Sequence, residues 1–229
     1  MKIGVLLSGC GVYDGAEIQE AVLTLLEIER MGAEAICIGI NAKQHHVINH
    51  LTGEEQPQER NMLEEAARIA RGQIVPIEQI VPADLDALVI PGGFGSAKNF
   101  STWAFAGPKG QILPEVKLLL VNMYNVGKPI VALCVSPILL ALALPEKALE
   151  LTLGNSQEAS PYDISAFHAG LNQLGATAQE CQLGEVHVDA VNRIITAPCY
   201  MLEAKLLDIQ SNIANALKAL KALKDLLEA

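Results

Sequence analysis

Apolar and polar positions follow one another along this chain in blocks that predict strands and helices in turn. The short apolar runs "KIGVLL", "AEAICIGI", "DALVI" and "PIVALC" have the length and composition of buried strands. Between the first two runs, the apolar residues of "AEIQEAVLTLLEIERMG" recur at helical spacing, and Gly32 provides a C-cap. Unbroken apolar strands with helices between them are typical of a parallel sheet covered on both faces. The pattern therefore predicts an α/β fold.

Later segments continue this alternation. A helix near Glu115–Val126 ends at Gly127, "ISAFHAGLNQLGA" predicts another helix, and "AQECQ" and "EVHVDAVNRIITAP" predict a strand and a hairpin with "DAVNR" as its turn. Residues at about 203–228 predict an amphipathic helix, with one apolar stripe formed by Leu206, Ile209, Ile213, Leu217 and Leu220. The polar segment at about 45–72 is interpreted as an insertion. Because no Gly-, Ser- or Pro-rich linker interrupts the chain, we expect one domain over residues 1–229.

Composition and charge exclude several classes of protein. The chain has 229 residues, 51% of them hydrophobic, and a net charge of −10, which argues against nucleic-acid and anionic-membrane partners. No apolar segment is long enough for a membrane span, and the first apolar run is too short for a signal peptide. The five cysteines are widely spaced without a C-x-x-C pair, so neither a disulfide framework nor a metal site is expected. A reducing cytoplasm is the expected location.

Three unusual stretches follow directly after predicted strands. They are "SGCGVYDG" after the first strand, "PGGFGSAKN" after "DALVI", and Cys134 after "PIVAL". Open parallel sheets bind ligands outside the carboxyl ends of their strands. We therefore expect these stretches to meet at one edge of the sheet, although they are far apart in sequence.

Cys134, in "KPIVALCVSP", lies where a predicted buried strand turns into a helix. A nucleophile in such an elbow points out of the sheet, and the small residues Ala132 and Ser136 allow the turn to close. The helix start is expected to lower the pKa of the thiol. Backbone N–H groups of Gly92, Gly93 and Val135 are the candidate oxyanion site. The alternatives are a cysteine that serves as a small buried hydrophobe and a Gly-Gly loop that is only a turn.

Several distinctive stretches, spread over nearly the whole chain, resemble those of a known protein family. They include "LSGCGVYDG", "VINHLTGE", "ERNMLEEAARIARG", "DLDALVIPGGFGSAKN", "GKPIVALCVSP" and "APCYM". They resemble the ElbB-type glyoxalases, isoprenoid-biosynthesis proteins of the class I glutamine amidotransferase-like superfamily, which also contains the PfpI protease and the Parkinsonism-associated deglycase. The resemblance implies a flavodoxin-like three-layer α/β sandwich, commonly a homodimer, with Cys134 as the nucleophile. It also implies a glyoxalase III activity, independent of glutathione and other cofactors, that converts glyoxal or methylglyoxal to a 2-hydroxy acid.

The resemblance also implies an acidic partner for the cysteine. Glu20 occupies the place of the glutamate that touches the nucleophilic sulfur in the deglycase-like relatives. A carboxyl group that stays protonated in a dry pocket can donate a hydrogen bond to a thiolate. Glu17, one turn earlier on the same predicted helix, is the competing candidate, and it could instead be a helix-start acid favoured by the dipole. Glu20 could likewise be an ordinary charge on a solvated helix face.

Histidine is where this chain departs from the superfamily. Many members carry a histidine on the strand and loop after the elbow helix, and the corresponding stretch "LELTLGNSQEAS" has none. His168 is expected at a half-exposed helix position, and His187 is expected to be structural on a strand. His50, with Arg60 and Asn61 close behind it, is a candidate for substrate binding if the insertion folds over the pocket. A purely structural loop is the alternative.

Three classes of function remain open from the sequence. In the first, Cys134 adds to a 2-oxoaldehyde and Glu20 moves a proton between adjacent carbons. An amidotransferase or a peptidase is the second class, which the missing histidine disfavours because each needs a base. The third is a non-enzymatic redox or stress-sensing dimer with an oxidisable cysteine. "PGGFG" lacks the spacing of a nucleotide-binding motif.

Overall fold

The computed structural model describes residues 1–228 and confirms the α/β fold. The strands are β1 (Lys2–Leu6), β2 (Glu34–Gly39), β3 (Val75–Pro76), β4 (Ala87–Ile90), β5 (Ile130–Leu133), β6 (Glu150–Thr152), β7 (Thr177–Gln179), β8 (His187–Asp189) and β9 (Ile194–Ala197). The α-helices are α1 (Ile18–Arg30), α2 (Met62–Ile69), α3 (Gly95–Lys98), α4 (Trp103–Ala106), α5 (Pro114–Asn125), α6 (Pro137–Ala143), α7 (Ile164–Gln173) and α8 (Leu206–Glu228). Within the described part of the chain, no helix is both long and apolar enough to cross a membrane.

The main sheet has seven strands in the order β3-β2-β1-β4-β5-β9-β8. All neighbouring strands in it are parallel except β8 and β9, which form the predicted antiparallel hairpin. The central strands β4 and β5 are buried along their whole length, as expected for strands that are covered by helices on both faces. Helix α1 packs against α8 on the sheet, and α5 packs against α6.

The three stretches predicted to converge do lie together at the carboxyl edge of the sheet. The N–H of Phe94 donates to the Val12 carbonyl at 2.7 Å, and the N–H of Gly95 donates to the Gly15 carbonyl at 2.9 Å. The elbow joins this group because the Cys134 side chain lies directly beside Gly92. Parallel strands place their carboxyl ends at the same edge, which is why segments distant in sequence meet there.

Two details of the fold go beyond the predicted pattern. Strand β7 pairs in parallel with β6 in a separate two-stranded sheet. On α8, Ile209, Ile213, Leu217 and Leu220 are buried as predicted, whereas Leu206 is 50% exposed. Leu206 is the first residue of the helix, so its side chain precedes the part of α8 that packs on the sheet. The inserted segment contains the isolated bridge between Ile48 and Glu55 and leads into α2.

Candidate active site

Cys134 forms a strained elbow between β5 and α6. Its φ of +56° lies in the left-handed region, which residues with a side chain seldom adopt. The Ser136 hydroxyl oxygen lies 2.8 Å from the carbonyl oxygens of both Ile90 and Leu133 and so ties the turn to the end of β4. The sequence predicted Ser136 only as a small neighbour. Its hydroxyl is in fact part of what holds the elbow.

Glu20 reaches Cys134 through the space that Gly92 leaves open. The Glu20 carboxylic acid group accepts backbone hydrogen bonds from Gly92 at 2.8 Å and from Tyr200 at 3.1 Å, and it also hydrogen bonds to the Cys134 side chain. A Cβ atom on Gly92 would lie 2.3 Å from the Cys134 Cβ and 2.5 Å from Glu20 Oε2. Only glycine therefore permits this pairing of acid and thiol.

Burial makes Glu20 a weak acid. Desolvation of its fully buried side chain, followed by repulsion from Glu17, raises the pKa of the carboxyl group to about 8. The hydrogen bonds from Tyr200 and Gly92 oppose this shift without cancelling it. Glu17 instead caps α1, because its Oε2 accepts the Glu20 N–H at 2.6 Å. Of the two candidate acids, Glu20 therefore contacts the sulfur, whereas the Glu17 carboxylate is engaged at the start of α1.

The expected thiolate at Cys134 is wrong. The residue is only 5% exposed, and desolvation together with the charge of Glu20 raises the pKa of its thiol well above the usual value. Hydrogen bonds from the backbone N–H groups of Gly93 and Val135 act in the opposite direction and are outweighed. Helix α6 has only seven residues, and its dipole does not compensate for the loss of water. The resting thiol is neutral.

The predicted oxyanion site also needs correction. The N–H of Gly92 donates to Glu20 Oε2, and those of Gly93 and Val135 are directed at the sulfur itself. These three groups therefore do not form a common site beside the sulfur for a developing oxygen anion. They hold the acid and the nucleophile in place instead.

The cavity above the sulfur is small. Its volume is about 10 Å³, which is room for about one water molecule, and it is lined by Val12, Gly93, Phe94, Cys134, Val135, Tyr162, Phe167, Tyr200 and Met201. An open cleft of about 820 Å³ adjoins it and shares Val12, Tyr162 and Tyr200 with it. Among the described residues, no histidine lines either space. The two tyrosines are site residues that the sequence analysis missed, and the strand-end rule applied to β9 and "APCYM" would have indicated Tyr200.

His50, Arg60 and Asn61 do not line this cavity. His50 Nε2 accepts the Tyr13 N–H at 3.3 Å and lies 3.8 Å from the buried Asp14 carboxylate. Arg60 pairs with Glu65, and Asn61 caps α2. These contacts fix the inserted loop to its surroundings, so the geometry gives the predicted role in substrate binding no support.

His168 and His187 pair with carboxylates away from the sulfur. His168 is buried instead of half-exposed, because α7 turns it inward to within 3.4 Å of Glu180. His187 lies on β8 and is 3.0 Å from Glu150. Within residues 1–228, no three His, Cys, Asp or Glu side chains are grouped as metal ligands.

Comparison with known proteins places the chain in a family. A rat protein, the mitochondrial ES1 protein homolog, is 40% identical over 223 residues, which are 95% of this chain and 82% of the rat protein. The chain belongs to the ES1/ElbB family. The crystal structure of an isoprenoid biosynthesis protein with an amidotransferase-like domain from Ehrlichia chaffeensis matches this family member with a TM-score of 0.88 and 35% identity, over 97% of this chain and 99% of that one. No protein-family profile matches the chain.

A more distant match shows a likeness of fold alone. The crystal structure of glyoxalase III from Candida albicans matches with a TM-score of 0.58 and 14% identity, over 96% of this chain and 97% of that one. This ES1/ElbB protein therefore has the same fold as glyoxalase III.

The expected cytoplasmic location is wrong. The rat relative and two further vertebrate relatives are named as mitochondrial proteins. Free cysteines indicate only that a compartment is reducing, and they do not distinguish one reducing compartment from another.

Proposed function

We propose that this protein is a cofactor-independent, glyoxalase III-like enzyme that converts glyoxal or methylglyoxal to a 2-hydroxy acid. The observation that carries the proposal is the buried Glu20 carboxyl group hydrogen bonded to Cys134, with a pKa of about 8. A carboxyl group with this pKa exchanges protons readily near neutral pH, as a general acid–base catalyst must. The fold shared with glyoxalase III supports the assignment.

The reaction begins on a neutral thiol. As the Cys134 sulfur adds to the aldehyde carbon, the Glu20 carboxylate takes the thiol proton and passes it to the aldehyde oxygen, giving a hemithioacetal. Glu20 then takes the proton from that carbon, giving an enediolate, and returns it to the neighbouring carbon, while the hydroxyl proton on the first carbon moves to the oxygen on the second. The product is a thioester of the 2-hydroxy acid. Water hydrolyses the thioester and restores the thiol. The N–H groups of Gly93 and Val135 hold the sulfur throughout.

The dimensions of the site limit both substrate and rate. A cavity of about 10 Å³ does not accept a 2-oxoaldehyde unless the side chains around it move. Only a fraction of the molecules carry an ionised Glu20 at neutral pH, since its pKa is about 8. Slow turnover of a small aldehyde follows from both facts.

The competing functions have weaker support. No histidine lines the cavity among the described residues, so neither a peptidase nor an amidotransferase has its usual base. A redox sensor needs an accessible thiolate, and burial keeps the Cys134 thiol neutral. The redox-sensing dimer stays a prediction.

Lactate formation from methylglyoxal tests the proposed function. We expect wild-type protein to form lactate. Cys134→Ser should form it at least about a hundredfold more slowly, because a hydroxyl is a far weaker nucleophile than a thiol. Cys37→Ser is the matched control, since Cys37 is a buried cysteine on β2 and does not line the cavity. Equal rates for wild type and Cys134→Ser would remove cysteine catalysis.

We also propose a homodimer, as the family resemblance implies. Ile18, Val22 and Leu26 form a stripe along α1, and their side chains are 43%, 48% and 37% exposed. A contiguous apolar stripe on a helix surface is favoured at protein–protein contacts. Val22→Glu should convert a dimer to a monomer in light scattering, and a wild-type monomer would contradict the proposal.

A further inference from the structure

The oxygen formed at the substrate carbon lacks an obvious hydrogen-bond donor. When the Cys134 sulfur adds to an aldehyde, the carbonyl oxygen gains negative charge and needs a donor at hydrogen-bonding distance. The Gly93 and Val135 N–H groups are directed at the sulfur, and the Gly92 N–H is bound to Glu20. Glu20 passes the thiol proton to this oxygen, and a donor that stays in place throughout has to come from another part of the cavity wall.

Two tyrosines are the only described side chains in that wall, apart from Cys134 itself, that can donate a hydrogen bond. The Tyr200 hydroxyl is already hydrogen bonded to Gln19 Oε1. The Tyr162 hydroxyl has no partner in the described residues. Tyr162 lines both the small cavity and the open cleft, so it lies where a substrate passes from one to the other.

The position of Tyr162 is fixed by its backbone and its ring. Its N–H donates to Ser160 Oγ at 2.9 Å, and the Ser160 hydroxyl donates to the Met201 carbonyl at 2.6 Å. The ring packs edge-on against Phe94, with centroids 5.7 Å apart at 70°. Phe94 belongs to the glycine loop beside Cys134. Burial, followed by repulsion from Cys134 and Glu20 once those groups ionise, raises the pKa of Tyr162 to about 12, so the phenol remains a donor at neutral pH.

We propose that Tyr162 is a catalytic residue whose hydroxyl donates a hydrogen bond to the substrate oxygen. The inference rests on the proposed function and deepens it. During addition, the sulfur–carbon bond forms and the C=O double bond becomes a single bond. The thiol proton travels by Glu20 to the oxygen, while Tyr162 keeps its own proton and stabilises the developing charge. The phenol thereby supplies the polar group that a histidine does not supply in this cavity.

Steady-state kinetics of Tyr162→Phe test this role. Because the hydrogen bond strengthens as charge develops, kcat and kcat/KM for methylglyoxal should fall together by about a hundredfold. Tyr124→Phe is the matched control: it removes a hydroxyl bound to Asn192, away from the cavity. Tyr162→His, which keeps a donor, should recover part of the rate. A Tyr162→Phe enzyme with wild-type kinetics would overturn the proposal.

A second readout does not depend on turnover. Aldehyde bound to Cys134 as a hemithioacetal should protect the thiol from iodoacetamide, with alkylation followed by intact mass. Tyr162→Phe should require at least about fivefold more methylglyoxal for half-protection, the effect of one lost hydrogen bond, and Tyr124→Phe should match wild type. Without aldehyde, Tyr162→Phe should be alkylated at about the wild-type rate. A general disturbance of the fold would change that rate.

The two readouts separate the two proposals. Wild-type protein that is protected by methylglyoxal but forms no lactate contradicts the proposed function, and the protection data then decide the role of Tyr162 alone. Equal protection of wild type and Tyr162→Phe overturns the role of Tyr162 while leaving the function in place. A wild-type protein that is neither protected nor active contradicts both.

Discussion

The Glu20 carboxyl group and the Cys134 thiol meet at Gly92, where a single added carbon would collide with both. A Cβ there would lie 2.3 Å from Cys134 Cβ and 2.5 Å from Glu20 Oε2, so Gly92→Ala should abolish lactate formation by separating acid from thiol. Gly32→Ala is the control. It strains a left-handed turn that has open space around it, and it should cost about 1 kcal/mol of stability while activity persists. An active Gly92→Ala enzyme would show that the contact is not needed.

The pH dependence of the rate should follow Glu20. With a pKa of about 8, the carboxylate that accepts the thiol proton is the minor form at neutral pH. The initial rate with methylglyoxal should rise about tenfold per pH unit up to about pH 8 and then level off. Glu20→Gln should lose the activity, whereas Glu27→Gln, on the same helix and away from the cavity, should keep the wild-type profile. A rate that is flat with pH would contradict the role of Glu20.

The stability of the protein should fall as the pH rises. The pKa of Glu20 is about 8 in the folded protein against an ordinary value of 4.5, so the folded state keeps a proton that the unfolded state releases. The stabilising effect of this proton is complete below about pH 4.5 and is lost towards pH 8, by up to about 1.4 kcal/mol per pH unit. Urea unfolding of wild type and Glu20→Gln should therefore show a free-energy difference that moves in favour of the variant as pH rises. A difference independent of pH would be the contrary result.

Asn61 should matter for folding and not for substrate. Its Oδ1 accepts the Leu63 N–H at 2.9 Å and the Glu64 N–H at 3.2 Å at the start of α2. Asn61→Ala should lower the free energy of unfolding by about 1 kcal/mol and leave KM for methylglyoxal unchanged, while Asn61→Asp keeps the cap. A large rise in KM for the alanine variant would restore the predicted contact between the inserted loop and the substrate.

The sequence predicted the sheet and the meeting point of the site because both depend on local patterns. Apolar runs such as Ala87–Ile90 are buried on both faces, and the rule that parallel strands end at one edge brought Gly92 and Cys134 together. Glu20 could be assigned only through the family resemblance, since its spacing on α1 alone is also typical of a solvated face.

The electrostatic state of the site could not be predicted in the same way. The start of a helix next to Cys134 suggested a lowered thiol pKa, but the side chains that exclude water come from distant segments such as Phe94, Phe167 and Met201. Their effect depends on tertiary packing, and desolvation outweighs the backbone hydrogen bonds. Tyr162 could not be predicted as a site residue because its place in the cavity also depends on tertiary packing. Nothing in its local sequence indicates which cavity it lines.

The most direct test of a Cys134–Glu20 enzyme is to trap its covalent intermediate. Wild-type protein would be quenched in acid during methylglyoxal turnover, digested, and the peptide containing Cys134 analysed by mass spectrometry. We predict that this peptide carries one methylglyoxal equivalent as a thioester, which hydroxylamine cleaves, in wild type, and that the thioester is absent from both Cys134→Ser and Glu20→Gln. Lactate formation with an unmodified Cys134 peptide at every time point would contradict the account.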